Sequence, residues 1–321
     1  FIMVSNGKPK LSREETKDHL NTLIYGPHHS LDGPILVSDI PPPAKAKKGV
    51  TVGIDEAGRG PVLGPMVYAL AYWNDDASFP LAGYNDSKQM SVEMRNRLFE
   101  STINETNIGF VLRVLHASEI SGNMLRQDTY NLNTMSHDAA IQMIRCLLDS
   151  GVVISKCFID TVGRESTYKK LLDTVFDGEG IEFVVEKKAD ANYVHCSAAS
   201  ILAKVTRDLI LENWSFTEPN FSLDRDYGSG YPSDPKCKEW ISRKFEDPLF
   251  GYPNLVRFSW GPVKDIMKEK GVKVEWEADE EDEQHGAMLA FVRTKNSPLP
   301  SQPRFEYFET RKLKRITKFC R

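Results

Sequence analysis

The chain has 321 residues, 40% hydrophobic and 27% charged, the balance of a soluble globular protein with room for one domain plus extensions or for two domains. Its longest apolar-leaning run, Pro61–Trp73, is broken by Gly64 and Pro65 and is shorter than the roughly 20 residues a membrane helix needs. No signal-peptide pattern opens the sequence, so membrane and secretory roles are not expected. The net charge is −4, with seven acids packed into Glu275–Glu283 and six bases into Arg311–Arg321, and the stretch 50–274 is itself acidic. Such a core has no broad basic field for nucleic acid, so a polyanion must be met by local cations or bound metal.

Residues 1–48 read as an extension: an amphipathic stretch at Ser12–Leu23, then GPHH, then PPPAKAKK, whose prolines set a polyproline-like linker. The compact part is expected to open with a β-branched strand, Gly49–Ile54, that stops at the run Asp55-Glu56-Ala57-Gly58-Arg59-Gly60. Met66–Trp73 reads as a second strand, and Ser91–Thr102 and Leu132–Leu148 read as helices. In the latter, Met135, Ala139, Ala140, Met143, Ile144 and Leu147 share one face, and Gly151 suits the stop. Cys157–Ile159 is a strand running into Asp160, Ser166–Val175 is helical, and Ile181–Val185 is a strand leading to Lys187-Lys188-Ala189-Asp190. From Ser197 a helix places Ala198, Ile201, Leu202, Val205 and Leu209 on one face, with Lys204 and Arg207 on the opposite, solvated side. Helices are expected again at Pro235–Phe245 and Pro262–Lys270. The acidic run and Pro298, Pro300 and Pro303 then mark 261–321 as a C-terminal extension, a solvated arm suited to partner contact. Strands alternating with helices argue for an α/β layer.

Three of these strands carry acids at or just past their C-terminal ends: Asp55 and Glu56, Asp160, and Asp190. Ligand sites in open α/β sheets lie beyond that edge. Carboxylates gathered there repel one another, and a hard divalent cation such as magnesium or manganese relieves the repulsion. Adjacent residues on a strand point to opposite faces, so Asp55 and Glu56 share a site only if the chain leaves the pleat, a freedom that Gly58 and Gly60 supply. The plainer reading is that each acid is a turn or cap residue. The five cysteines form no CxxC pair and the seven histidines no HExxH or Cys/His cluster, so idle thiols and no zinc site are expected. Walker and GxGxxG patterns are absent, which weighs against a nucleotide phosphotransferase. Composition and spacing alone reach a soluble α/β protein, with a metal-dependent hydrolase and a non-catalytic nucleic-acid scaffold both open.

Five segments narrow this. GIDEAGRGPVLGPMVYA (Gly53–Ala69), DSK (Asp86–Lys88), FIDTVG (Phe158–Gly163), KADANYVHCSAASILAKVTRD (Lys188–Asp208) and DYGSGYPSDPK (Asp226–Lys236) together resemble the signature of type 2 ribonucleases H, in the family's order. The match spans about Gly49–Trp260, and the flanks resemble those of the catalytic (A) subunit of the eukaryotic enzymes. The resemblance implies a ribonuclease H-like α/β fold, with a mixed, mainly five-stranded sheet flanked by helices and a helical C-terminal part. It implies a catalytic domain at 49–260 and a two-metal site for Mg2+ or Mn2+ on Asp55, Glu56, Asp160 and Asp190. Its substrates would be RNA/DNA hybrids and single ribonucleotides in duplex DNA, cut 5′ of the ribonucleotide to leave 3′-hydroxyl and 5′-phosphate ends. By the same resemblance Gly58, Arg59, Gly60 and Tyr231 would sense the 2′-hydroxyl, and Lys88 and Arg207 would hold phosphates. Two non-catalytic subunits would complete a heterotrimer, located in the nucleus. A full set of four acids weighs against the scaffold reading.

Overall fold

The computed structural model describes residues 12–26, 33–42, 49–76, 83–84, 90–126, 130–161, 163–218, 224–243 and 251–271. Lys88, the acidic run and the basic end lie outside them. A compact unit runs to Gly271. Six strands form one sheet in the order β1 (Ile35–Val37), β4 (Gly109–Leu115), β3 (Met66–Trp73), β2 (Val50–Ala57), β5 (Ile154–Asp160) and β6 (Glu182–Glu186). The β1/β4, β4/β3 and β3/β2 pairs are antiparallel, while β2/β5 and β5/β6 are parallel. The parallel half therefore delivers the C-terminal ends of β2, β5 and β6 to one edge.

Helices cover both sheet faces, which is why β3 is buried at every position. On one face Ala57, Ala69, Ala71 and Trp73 pack in the same core as Ala198, Ile201, Leu202 and Val205 of α7 (Val194–Glu212). On the other, Val52, Ile54, Tyr68 and Leu70 share a core with Met135, Ala139, Met143 and Ile144 of α4 (Leu132–Asp149) and with Leu172 of α5 (Glu165–Val175). Gly53 sets how closely α7 approaches β2: a Cβ there would sit 2.1 Å from the carbonyl carbon of His195. No side chain fits at that crossing. Among the described residues no helix is long and apolar enough to cross a membrane.

The fold differs from the sequence expectation at both ends and in strand number. The stretch expected to be an appendage supplies α1 (Arg13–Tyr25), closed by a Ser12/Glu15 capping box, whose Leu20, Leu23 and Ile24 enter the same core as α7. Arg13 pins it to α2 (Val92–Asn104) and β4 through the carbonyls of Thr102 (3.1 Å), Glu105 and Ile108 (3.2 Å), and through Asp39 (2.5 Å). An amphipathic helix beside an open sheet buries its apolar stripe rather than leaving it in water. The sheet has six strands rather than five because the three-residue β1 pairs with β4, matching Leu36 to Leu112; β1 is too short to show a periodicity. Past the Tyr231 loop, α8 (Pro235–Arg243) and α9 (Gly261–Lys270) follow, and Val263 of α9 is fully buried, so packing continues beyond residue 260.

Candidate active site

The strand expected to stop at Ile54 continues through Ala57, pairing Asp55 with Ala69 and Glu56 with Tyr68. The two acids accordingly take opposite faces of the sheet. Asp55, 4% exposed, lies on the α7 side, where Ser200 donates to its carboxyl and the Glu56 amide donates to its Oδ1 at 2.7 Å. Glu56 lies on the α4 side, beside Tyr68 and Tyr168, whose hydroxyl pKa values are raised by burial first and further by the Glu56 charge. Asp160, at the end of the neighbouring parallel strand, serves both. Its charge raises the Asp55 pKa, and it lines with Glu56 a small cavity walled by Tyr168, Ser136 and His137. Asp160 Oδ1 accepts from the amide of Ala189 at 3.1 Å, which seats α6 (Ala189–Asn192) and its buried Asp190 next to it.

The Asp55 carboxyl is held well above the ordinary aspartate range, first by burial and then by the charges of Glu56 and Asp160. An all-carboxylate donor set under this repulsion fits a hard divalent cation. Among the described residues, no three His, Cys, Asp or Glu side chains are already gathered on one point.

Beside the acids the chain makes a second construction. Gly58 turns with φ +83°, a conformation that suits glycine, and an added Cβ would meet the carbonyl oxygen of Pro65 at 2.6 Å. The carbonyls of this turn point inward onto one buried guanidinium. Arg257, with no exposed surface, donates to Gly58 (2.6 Å), Arg59 (3.1 Å) and Gly64 (2.9 Å), while the Trp260 indole donates to Gly60 at 3.1 Å. In a trans peptide the next amide points opposite to the carbonyl, so the N–H groups of Arg59 and Gly60 face away from Arg257. The loop carrying Tyr231 is bolted to the same turn: the Gly230 carbonyl accepts from Val62 (2.9 Å) and Leu63 (3.3 Å). Gly60 faces the Tyr231 ring, and a Cβ on it would lie 3.4 Å from that ring. Arg59 lays its guanidinium on Ser136 (2.7 Å) and Asn133 at the start of α4.

The family model for Ribonuclease HII matches residues 52–263, a span that contains the four acids, the glycine turn, Tyr231 and Arg257. The chain belongs to the ribonuclease HII family. Among curated relatives it is 46% identical over 245 residues to the A-type subunit of ribonuclease H2 of Bos taurus, covering 74% of this chain and 80% of the relative. It is 43% identical over 282 residues to that of Homo sapiens, covering 86% and 93%. Among solved structures, ribonuclease H2 from Pyrococcus horikoshii OT3 aligns with a TM-score of 0.56 at 30% identity, covering 68% of this chain and 98% of that one. The chain is thus a ribonuclease H, an endonuclease acting on RNA/DNA hybrids, with relatives that are subunits of a larger enzyme.

Within this ribonuclease H scaffold the expected residues separate into three groups. The four acids lie along one sheet edge, at the ends of β2 and β5 and in α6 just past β6, and Gly58, Arg59, Gly60 and Tyr231 stand at the adjoining corner. Lys88 lies outside the described residues. Arg207 is placed differently: rather than sitting on a solvated helix face it is 2% exposed, and its guanidinium is taken up by the Ser229 carbonyl (2.8 Å) and Asp208 (3.1 Å). It sits 5.7 Å from the Tyr231 ring. At this position the helix faces the Ser229–Tyr231 loop, and Arg207 braces that loop. Arg257 and Trp260 are the functional residues that motif reading misses. The one sequence signal is a lone charge in the apolar run Leu255–Trp260.

Proposed function

We propose that this ribonuclease cuts RNA/DNA hybrids and also single ribonucleotides in duplex DNA, on the 5′ side of the ribonucleotide, leaving 3′-hydroxyl and 5′-phosphate ends. The observation that carries the reading is the Gly58–Gly60 turn, its carbonyls anchored by Arg257 and Trp260 and its glycine face set against Tyr231, directly beside the acid edge. Outward amides on residues without bulk can approach a sugar closely, and the half-exposed Tyr231 can donate to a 2′-oxygen, the atom that separates RNA from DNA. Recognition of one 2′-hydroxyl is sufficient for such a site, so a lone ribonucleotide is a complete signal.

Asp55, Glu56, Asp160 and Asp190 would hold two Mg2+ or Mn2+ ions. When bound, such ions lower the pKa of an attacking water and stabilise charge on the leaving 3′-oxygen. The protein's own part is to hold Asp55, Glu56 and Asp160 on adjacent parallel strand ends, to bring Asp190 of α6 back beside them, and to orient the ribose. Because the named relatives are components of a multi-subunit enzyme, the proposal extends to assembly with two non-catalytic subunits. It also places the enzyme in the nucleus, in ribonucleotide removal and RNA primer processing.

The test is to incubate the chain, alone and with its partner subunits, with magnesium and duplex DNA containing one ribonucleotide, and to map the ends. Cleavage 5′ of that nucleotide with a 3′-hydroxyl is expected. Cleavage of long hybrids combined with an untouched single-ribonucleotide duplex would confine the activity to hybrids.

A further inference from the structure

Lys188 is, among the described residues, the only one other than glycine with a positive φ (φ 61°, ψ 35°). A side chain in this left-handed well is strained because its Cβ crowds the following carbonyl oxygen, and glycine occupies it freely. The local structure needs the conformation. β6 ends at Glu186 and α6 begins at Ala189, and in that short span the chain must reverse so that Asp190 returns beside Asp160. The reversal is fixed by the Ala189 amide on Asp160 Oδ1 (3.1 Å) and by the Ala191 amide on the Lys188 carbonyl (3.1 Å). Glycine would serve that turn with less strain, yet the chain carries a lysine.

Packing and pairing do not account for its side chain. Lys188 is exposed, and among the described residues its ammonium makes no ion pair, whereas its neighbour Lys187 reaches Glu165 at 4.0 Å. Strained non-glycine residues held by their surroundings concentrate at functional sites. The site at this edge is dominated by acids, its cavity cation Arg59 already lies on Ser136 and Asn133, and the substrate class is a polyanion that an acidic core can hold only through local cations. Arg207 on α7 is buried and directed to the Ser229 carbonyl and Asp208, beside Tyr231.

We propose that Lys188 binds a backbone phosphate of the nucleic-acid strand at the Asp160–Asp190 end of the site, and that the left-handed turn exists with a side chain because that side chain is needed. The proposal rests on the ribonuclease reading above. Lys188→Gly and Lys188→Asn remove the charge with residues that suit the left-handed well, and Lys188→Arg keeps the charge. Each is compared with the parent in the full chain, by thermal melting and by KM and kcat on an RNA/DNA hybrid from about 50 to 200 mM salt. Gly and Asn are expected to melt no lower than the parent, to raise KM more than they change kcat, and to flatten the slope of log(kcat/KM) against log salt by up to ~0.9, one phosphate contact's worth. Arg is expected to restore the slope. An unchanged slope and KM in both neutral variants overturns the proposal. So does a lowered melting temperature with a matching loss of kcat, which assigns Lys188 a structural role. A lower magnesium requirement with the slope intact also overturns it, since Lys188 would then be a counter-charge for the carboxylates. A parent that leaves the hybrid uncut removes the ribonuclease reading and this proposal together; a parent that cuts while the variants behave alike removes only this one.

Discussion

The acid edge and the recognition corner adjoin each other but are built on opposite electrostatic plans. At the edge, Asp55 is buried among like charges and held above its ordinary pKa, so the arrangement is uncomfortable until a cation arrives. At the corner loop carbonyls are already engaged: Arg257 serves those of Gly58, Arg59 and Gly64, Arg207 that of Ser229, and Trp260 that of Gly60. The first region stores repulsion that binding relieves. The second is finished before substrate comes, so recognition needs little reordering. Catalysis and discrimination should therefore fail separately, and in different ways.

The largest separation is expected from Asp160→Asn, because Asp160 faces both Asp55 and the Glu56 cavity. Turnover should fall at least ~100-fold, about 2.7 kcal/mol, with the melting temperature of the metal-free protein unchanged or raised as one repelling charge disappears. Turnover within tenfold of the parent would falsify the assignment of the metal centre. Next is Arg257→Met, which removes the donor from three inward carbonyls. Each stranded buried acceptor costs about 1–3 kcal/mol, so urea unfolding should report a loss of several kcal/mol; a loss below about 1 kcal/mol would mean that the turn holds itself. Tyr231→Phe is milder, removing one hydrogen bond of about 0.5–1.5 kcal/mol. It should slow cutting at a lone ribonucleotide roughly three- to tenfold and hybrid cutting less, since a hybrid offers many 2′-hydroxyls. An unchanged ratio of the two rates takes Tyr231 out of recognition.

The smallest effect sharpens the edge itself. The folded-state pKa of Asp55 is raised, so its contribution to stability is present below its unfolded pKa of about 3.9 and is lost as pH rises through the folded value. Asp55→Asn should consequently gain stability relative to the metal-free parent as pH rises above the ordinary aspartate range. Magnesium should close that gap from the parent's side. Melting curves across pH with and without metal check it, and a parent–variant difference that ignores pH contradicts the raised pKa.

The acid edge was largely legible in the sequence because Asp55, Glu56 and Asp160 close strand-like runs and Asp190 follows another, and parallel strands place such ends together. What the residues alone did not reveal is that β2 continues through Asp55 and Glu56, putting them on opposite faces. That depends on pairing with β3, a long-range fact. The corner was legible only in part. Gly58, Gly60 and Tyr231 stood out through a family resemblance, but Arg257 lies about 200 residues from the turn it holds, and nothing local distinguishes it from a stray charge. Arg207 misled for the same reason: helical spacing gives the side of the helix and not what lies across from it. The strain at Lys188 is likewise invisible before the backbone is seen.

The three residues of β1 bear on how this enzyme can be handled. The span matched by the family begins at residue 52, whereas the strand that closes one flank of the sheet is Ile35–Val37. A fragment trimmed to the matched span would leave β4, seven residues buried along their whole length, with its outer backbone groups unpaired. An apolar, unguarded strand of that kind invites pairing with its own copies. The three residues of β1, remote from the chemistry, are thus expected to shield the sheet from edge-to-edge pairing between copies.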